Sequence, residues 1–378
     1  MKISYAVWAQ IPSKAAHSLH FMKQCQGLAA NGADVVFIFP ANDTNIEMSD
    51  CEIFDYYNVK PCFRLKRVAV KKLPAKKLFY SIELANYVKR RSGLFFTRDP
   101  DLASVSVFYR LRTMLELHAT LDSSLMRAKH VWKYLRKLLL KSEYLVQIIV
   151  ISEALKKILV KEGIKSNIIS VLHDASDIPI AVDPVIFNDA GRYTGEIGYI
   201  GHLYQGKGIE IILKIAPMLP TVRFHIVGGL DADISYWNGR AQNENIQNIV
   251  FHGFVNQRAI SAYIVAFDIC LLPNQRSIKV YGNSKANISD ITSPLKMFDY
   301  MAHGKAIISS DLPVLKEVLN DSNAIFCNPD NPRQWSDAIE YLLQNNQRRI
   351  EIGRNAYLDF ERYYTWKKRG SQIIKQIK

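Results

Sequence analysis

The chain has 378 residues, 48% of them hydrophobic, and a formal net charge of +14. This is ample apolar material for two folded domains of ordinary size, while no apolar run reaches the ~18 residues of a transmembrane helix and the opening MKISYAVWAQIPSK is too short in apolar residues for a signal peptide. The scattered Cys25, Cys51, Cys62, Cys270 and Cys327, with no C-x-x-C, argue for reduced thiols in cytoplasm and against a disulfide framework or a zinc site.

In chain order, ISYAVWA predicts a strand, SLHFMKQCQGLAANG a helix closed at Gly32, and DVVFIFP the next strand. Further pairs follow: helix 80–91 then LFFT, helix 101–110 then TMLELH, helix 127–142 then LVQIIVIS, helix 153–162 then IISVL. The stretch 173–189 is rich in Asp and Pro and reads as a linker, ending a first domain near Pro184. From Glu196 the alternation restarts with strands IGYIG, FHIVGG, IVFHGF, ICLLP, AIISS and AIFC, separated by helices at 208–217, 257–266, 294–303, 312–319 and 332–345. From 346 onward the chain is helical and polar. Strands alternating with helices imply parallel sheets covered on both faces, with ligands at the carboxyl ends of the strands.

The charge is uneven. Residues 60–141 hold 20 Lys and Arg against 5 Asp and Glu, more than the surplus of the whole chain. FRLKRVAVKKLPAKKLFY (63–80) and MRAKHVWKYLRKLLLK (126–141) are the two clusters. In the second, Lys133, Lys137 and Lys141 share one helical face and Val131, Leu135, Leu138 and Leu139 another, with Trp132 and Tyr134 nearby. Solvated domain faces and an anionic membrane surface both fit this pattern. Nucleic acid fits less well, since no nucleic-acid motif accompanies the charge.

Two segments carry the chemistry. In SPLKMFDYMAHGKAIISSD (293–311), Ser293 reads as an N-cap and Pro294 as the first helical residue. The exposed N–H groups of such a start form an anion site, and Lys296 adds a full charge where the helix dipole would prefer an acid. A bound phosphate explains that misfit. In GEIGYIGHLYQGKGIEIILKIA, a strand leads into a glycine-rich loop and a helix, and Lys207 can neutralise phosphate. The loop fits neither the Walker A spacing nor G-x-G-x-x-G.

Together these segments resemble the retaining glycosyltransferases of the glycosyl transferases group 1 family. The likeness runs through Gly201, Lys207-Gly208, FHIVGG ending at Gly229, FHGFV with Phe254, SPLKMFDYMAHGKAIISSDLPVLKEVL and YTW at 364–366. In the first half it is looser, through IPSKAAHSLHFMKQCQGLAANGADV, FFTRDP and MLELH. The resemblance implies an α/β chain of GT-B fold, two Rossmann-like doubly wound domains facing each other across a cleft. Residues 1–184 would bind the acceptor, 190–360 the nucleotide sugar, and a C-terminal helix in 361–378 would return to the first domain.

It also implies metal-independent transfer of a hexose or N-acetylhexosamine from a UDP- or GDP-sugar to a glycan, lipid-linked, in O-antigen- or capsule-like polysaccharide assembly. The enzyme would work in the cytoplasm at the inner membrane face, with no cofactor beyond the donor and no nucleic-acid partner. A nucleotide-sugar epimerase of the same plan, or a basic binding protein without turnover, are the alternatives. Lys207 and the N–H groups of Leu295 and Lys296 would hold the leaving diphosphate; Asp231 and Asp233 form an Asp-x-Asp but read as an ordinary loop pair rather than a metal site.

His202 stands where relatives often have Arg. Asp299 stands at the second acid of the family signature, which bonds the ribose hydroxyls. Ile291 stands at the first, which touches the donor sugar, so Asp290, Thr292 or Ser293 would substitute. His118 would lie near the reacting centre, with Glu116 as acid/base or loop anchor. Arg98, Asp99 and the loop Gln10–Ala16 would face the acceptor.

Overall fold

A computed structural model describes residues 1–70, 75–121, 129–188, 191–280, 284–287 and 289–377, without the side chains of 44–45, 129–133, 279–280 and 284–287. Residues 127–128 of the helix expected at 127–142 and 71–74 of the first basic cluster lie outside the described residues, as do the side chains of Val131, Trp132 and Lys133. The chain divides into two units. One holds Met1–His173 and Trp366–Lys378, the other Asp174–Thr365. The boundary falls at 173/174 rather than near 184, because Ser176 bridges Thr365 and donates its N–H to Tyr364 O at 3.0 Å.

In the first unit, β1 (Lys2–Ala6), β2 (Asp34–Pro40), β3 (Arg64–Val68), β4 (Leu94–Thr97), β5 (Thr113–Leu117), β6 (Leu145–Val150) and β7 (Ile169–Val171) form one parallel sheet, ordered β3-β2-β1-β4-β5-β6-β7. Its helices are α1 (Ala16–Ala29), α2 (Asp43–Glu47), α3 (Asp50–Tyr56), α4 (Lys76–Arg91), α5 (Pro100–Phe108), α6 (Lys129–Lys141) and α7 (Glu153–Lys161). Both faces of the sheet are covered, so β4 and β5 are buried at every position. The basic strand β3 is a departure from expectation. It lies at the sheet edge, where Arg64 pairs with Asp34 at 2.9 Å and Arg67 with Asp50 at 2.5 Å.

In the second unit, β8 (Gly195–Ile200), β9 (Val222–Val227), β10 (Ile249–Gly253), β11 (Ile269–Leu272), β14 (Ala306–Ser310) and β15 (Ile325–Cys327) form a second parallel sheet, ordered β10-β9-β8-β11-β14-β15. Between them β12 (Lys279–Val280) and β13 (Ser284–Asn287) pair as an antiparallel ribbon. The helices are α8 (Ile209–Ile215), α9 (Asp231–Asn243), α10 (Ile260–Ala266), α11 (Leu295–Ala302), α12 (Pro332–Gln344) and α13 (Asn346–Tyr363). The helix expected at 312–319 is only a 3-10 turn over Leu315–Glu317. α14 (Trp366–Lys375) belongs to the first unit, where Gly27 and Gly370 let it touch α1: a Cβ on either would meet backbone at 2.3 Å.

Candidate active site

Strand order in the second unit reverses between β8 and β11, and the crevice beyond their carboxyl ends is where an open α/β sheet binds ligands. Gly201 follows β8 with φ +136°, and a Cβ there would stand 3.2 Å from Lys296 Nζ. The glycine therefore makes room for the lysine. The other loop glycines shape the loop itself. Gly206 and Gly208 donate their N–H groups to the Glu210 carboxylate at 2.9 and 3.2 Å, which closes the loop on itself. Gly208, at φ +98°, lets the loop press on Pro273, whose carbonyl oxygen lies 2.1 Å from where a Cβ would be.

Charge at the crevice comes from side chains. Burial lowers the Lys207 pKa to about 8, and its ammonium sits 5.0 Å from the Tyr204 ring centre. Lys296 lies 3.5 Å over the Tyr199 ring, and its buried Nζ has no hydrogen-bond partner among the described residues. Burial, then the Lys207 charge, hold it well below the ordinary lysine range. Burial and both lysines also depress His202, which is therefore neutral at pH 7. No ion pair to either lysine is present among the described residues.

The start of α11 differs from expectation. Pro294 is the cap, with extended backbone and no side-chain cap bond, and the helix begins at Leu295. Ser293 is not the cap: its Oγ accepts from the Asp174 N–H at 3.2 Å. The first-turn N–H groups are still those of Leu295 and Lys296. One turn on, Asp299 accepts from Ser176 Oγ at 2.5 Å. Ile291 is buried, while the exposed Asp290 accepts from Ser289 Oγ at 3.1 Å. Gly229 follows β9 and packs on Leu203; Phe254, 43% exposed, follows the outer strand β10. Asp231 and Asp233 occupy the first turn of α9 rather than a loop, where acids complement the helix dipole.

In the first unit the order reverses between β1 and β4. Arg98 follows β4, stacks 5.1 Å from the Phe21 ring centre, and leaves a buried Nη1 without a partner among the described residues. Asp99 has structural partners. It caps α5 by accepting from the N–H groups of Asp101 and Leu102, and pairs with Lys77 at 2.7 Å.

Glu116 is fully buried and paired. Burial pushes its pKa up, but Arg369 at 2.9 Å, with His20 and His118, outweighs this and holds it well below the usual carboxylate range. His118, partly exposed, donates Nε2–H to Glu116 Oε1 at 2.8 Å and is thereby oriented. The nitrogens of His20 and His118 and the Glu116 oxygen lie within 4.8 Å of one another, a spacing that suits a metal. The Arg369 guanidinium on the same carboxylate opposes one. Sequence reading missed Arg369, His20 and Gln24, whose Nε2–H donates to Glu116 Oε2 at 3.3 Å; a polar tail helix gave no sign of them.

Residues 194–345 match the family described as Glycosyl transferases group 1. The second unit carries a stretch similar to group 1 glycosyltransferases. Gly201, Lys207, Lys296 and Asp299 all fall inside the matched stretch. Over a longer span, an uncharacterized glycosyltransferase of Methanocaldococcus jannaschii is 27% identical over 237 residues, 60% of this chain and 56% of its own. Putative teichuronic acid biosynthesis glycosyltransferase TuaH of Bacillus subtilis is 22% identical over 189 residues, 50% of this chain and 42% of its own. The chain thus spans about half the length of the curated relatives it matches. Anabaena HepE, solved in complex with UDP and glucose, aligns with 100% of this chain and 99% of its own at a TM-score of 0.74 and 13% identity. That likeness shows the fold, so the matched stretch lies in one of two Rossmann-like domains of a GT-B chain.

Proposed function

We propose that the chain is a retaining, metal-independent glycosyltransferase. It moves a hexose or N-acetylhexosamine from a UDP- or GDP-sugar to a lipid-linked glycan in cell-surface polysaccharide assembly. The observation that carries this reading is the buried Lys296 ammonium beside Lys207, without a hydrogen-bond partner among the described residues. A buried cation without a counter-charge costs several kcal/mol, and a nucleoside diphosphate supplies the missing charge. HepE in complex with UDP favours UDP as the first nucleotide to test. The name of TuaH favours a polysaccharide product.

As the bond from sugar to phosphate breaks, negative charge grows on the leaving diphosphate. Lys207, Lys296 and the first-turn N–H groups of α11 are preorganised to stabilise that charge without reorganising water. Asp299 takes the ribose hydroxyls. In the first unit, Glu116 orients His118, the residue expected to act in catalysis. Retention follows the family resemblance, with the leaving phosphate itself accepting the proton of the attacking hydroxyl. Docking on an anionic membrane is supported by α6. Tyr134 and Leu138, 63% and 39% exposed, share one helix face with the exposed Lys137 and Lys141. Among the described residues no helix is long and apolar enough to cross a membrane.

Calorimetric titration with UDP and GDP in excess EDTA tests the reading. Binding is expected without a divalent cation, and Lys207→Ala should weaken it ten-fold or more. A wild-type protein that binds neither nucleotide, with or without Mg²⁺, refutes it.

A further inference from the structure

The crevice at the β8–β11 reversal holds one more group. Asn274, two residues past β11, is fully buried, yet neither its Oδ1 nor its Nδ2 has a hydrogen-bond partner among the described residues. Buried amides are nearly always paired, and an empty one is costly to keep. Its neighbours fix its place. Pro273 on one side presses on Gly208, and the Gln275 N–H on the other donates to Gly206 O at 2.9 Å. The backbone at Asn274 therefore runs beside the loop segment that carries Lys207 between those two glycines. On the adjoining strand β14, the last residue Ser310 also has a buried Oγ without a partner among the described residues.

The chemistry of the amide selects the ligand. Diphosphate oxygens only accept hydrogen bonds, so they can satisfy Nδ2 but never Oδ1. Oδ1 needs a ligand that donates. A sugar hydroxyl donates and accepts at once, and two adjacent hydroxyls match the two ends of an amide. Ile291, apolar and buried, offers no such bond.

Resting on the glycosyltransferase reading above, we propose that Asn274 bonds a hydroxyl of the transferred sugar and so sets donor-sugar specificity. The lysines grip the diphosphate, which every donor of one nucleotide shares. Asn274 reads the part that differs.

The test is Asn274→Leu in the full chain, titrated with UDP, GDP, UDP-glucose, UDP-N-acetylglucosamine and GDP-mannose, and melted without ligand. The variant should keep the affinity for the free diphosphate within about two-fold. It should lose ten-fold or more for the nucleotide sugar that wild type binds best. Without ligand it should melt roughly 2–4 °C higher, because an unsatisfied amide has been removed, whereas loss of a structural amide would lower the melting temperature. Asn274→Ala, with less bulk, should show the same split between diphosphate and nucleotide sugar.

Unchanged nucleotide-sugar affinity in both variants, with diphosphate binding intact, overturns the assignment of Asn274 alone. So does a lower melting temperature with diphosphate affinity lost, or a wild type that binds every nucleotide sugar just as it binds the bare diphosphate. No diphosphate binding by wild type would instead overturn the glycosyltransferase reading beneath it.

Discussion

Raising the pH should strip the diphosphate site of its charge. Burial places Lys207 at a pKa of about 8, and Lys296 lies well below the ordinary range. A bound diphosphate favours the charged amines and returns Lys207 toward about 10.5. At pH 7 roughly nine-tenths of the free Lys207 is protonated, and at pH 9 roughly one-tenth. If the complex keeps the proton, apparent affinity for UDP falls about ten-fold over that interval, or ~1.4 kcal/mol. Binding near pH 8 should also take up protons, read by calorimetry in buffers of different ionisation enthalpy. Lys207→Met lacks the titrating amine, so its affinity, lower at pH 7, should depend less on pH. The difference between the two proteins removes any titration of the nucleotide itself. A flat wild-type affinity from pH 7 to 9, or equal slopes in both proteins, would refute the reasoning.

The same lysine sets a stability trend of opposite sense. Its pKa is depressed on folding, so the ligand-free protein bears the full cost below pH 8 and recovers as pH rises from about 8 to about 10.5. Lys207→Met should therefore stabilise the ligand-free protein at pH 7 by ~1–3 kcal/mol in urea unfolding, and a destabilised variant would contradict this. In the first unit, Arg369→Met leaves Glu116 buried without its guanidinium. A loss of roughly 3–5 kcal/mol is expected, which pairing it with Glu116→Gln should partly restore. On α6, Lys137→Glu with Lys141→Glu should cut sedimentation with anionic vesicles at low salt at least about ten-fold. Wild type that stays in the supernatant would end the membrane proposal.

Strands buried on both faces were the easiest to read, because runs such as DVVFIFP and AIISS have no other home than the middle of a covered sheet. The strand β3 hid behind its charge: RLKRV is tolerable only at an edge, and a sequence does not announce which strand is outermost. α9 escaped notice because only Trp237 and Ala241 are buried along it, too few for a helical stripe. At the candidate site, Lys207 and Lys296 were legible as charges beside glycine and a helix start. The cap was misread because Ser293 had a competing partner, the Asp174 N–H, 119 positions away in sequence. The partners of Glu116 and Asp99 were hidden for the same reason. Lys77 and Arg369 reach them from distant segments, and no local pattern records such pairings.

The discontinuity of the first unit bears on how the molecule is made. α14 contributes Ile373 to that unit's apolar interior and Arg369 to the Glu116 network. During synthesis, residues 366–375 leave the ribosome only after every residue of 174–365 has emerged. The unit whose larger part emerges before residues 174–365 is thus completed only after them. Until then it waits with Glu116 lacking its counter-charge and α1 lacking its neighbour, a nascent form suited to chaperone capture.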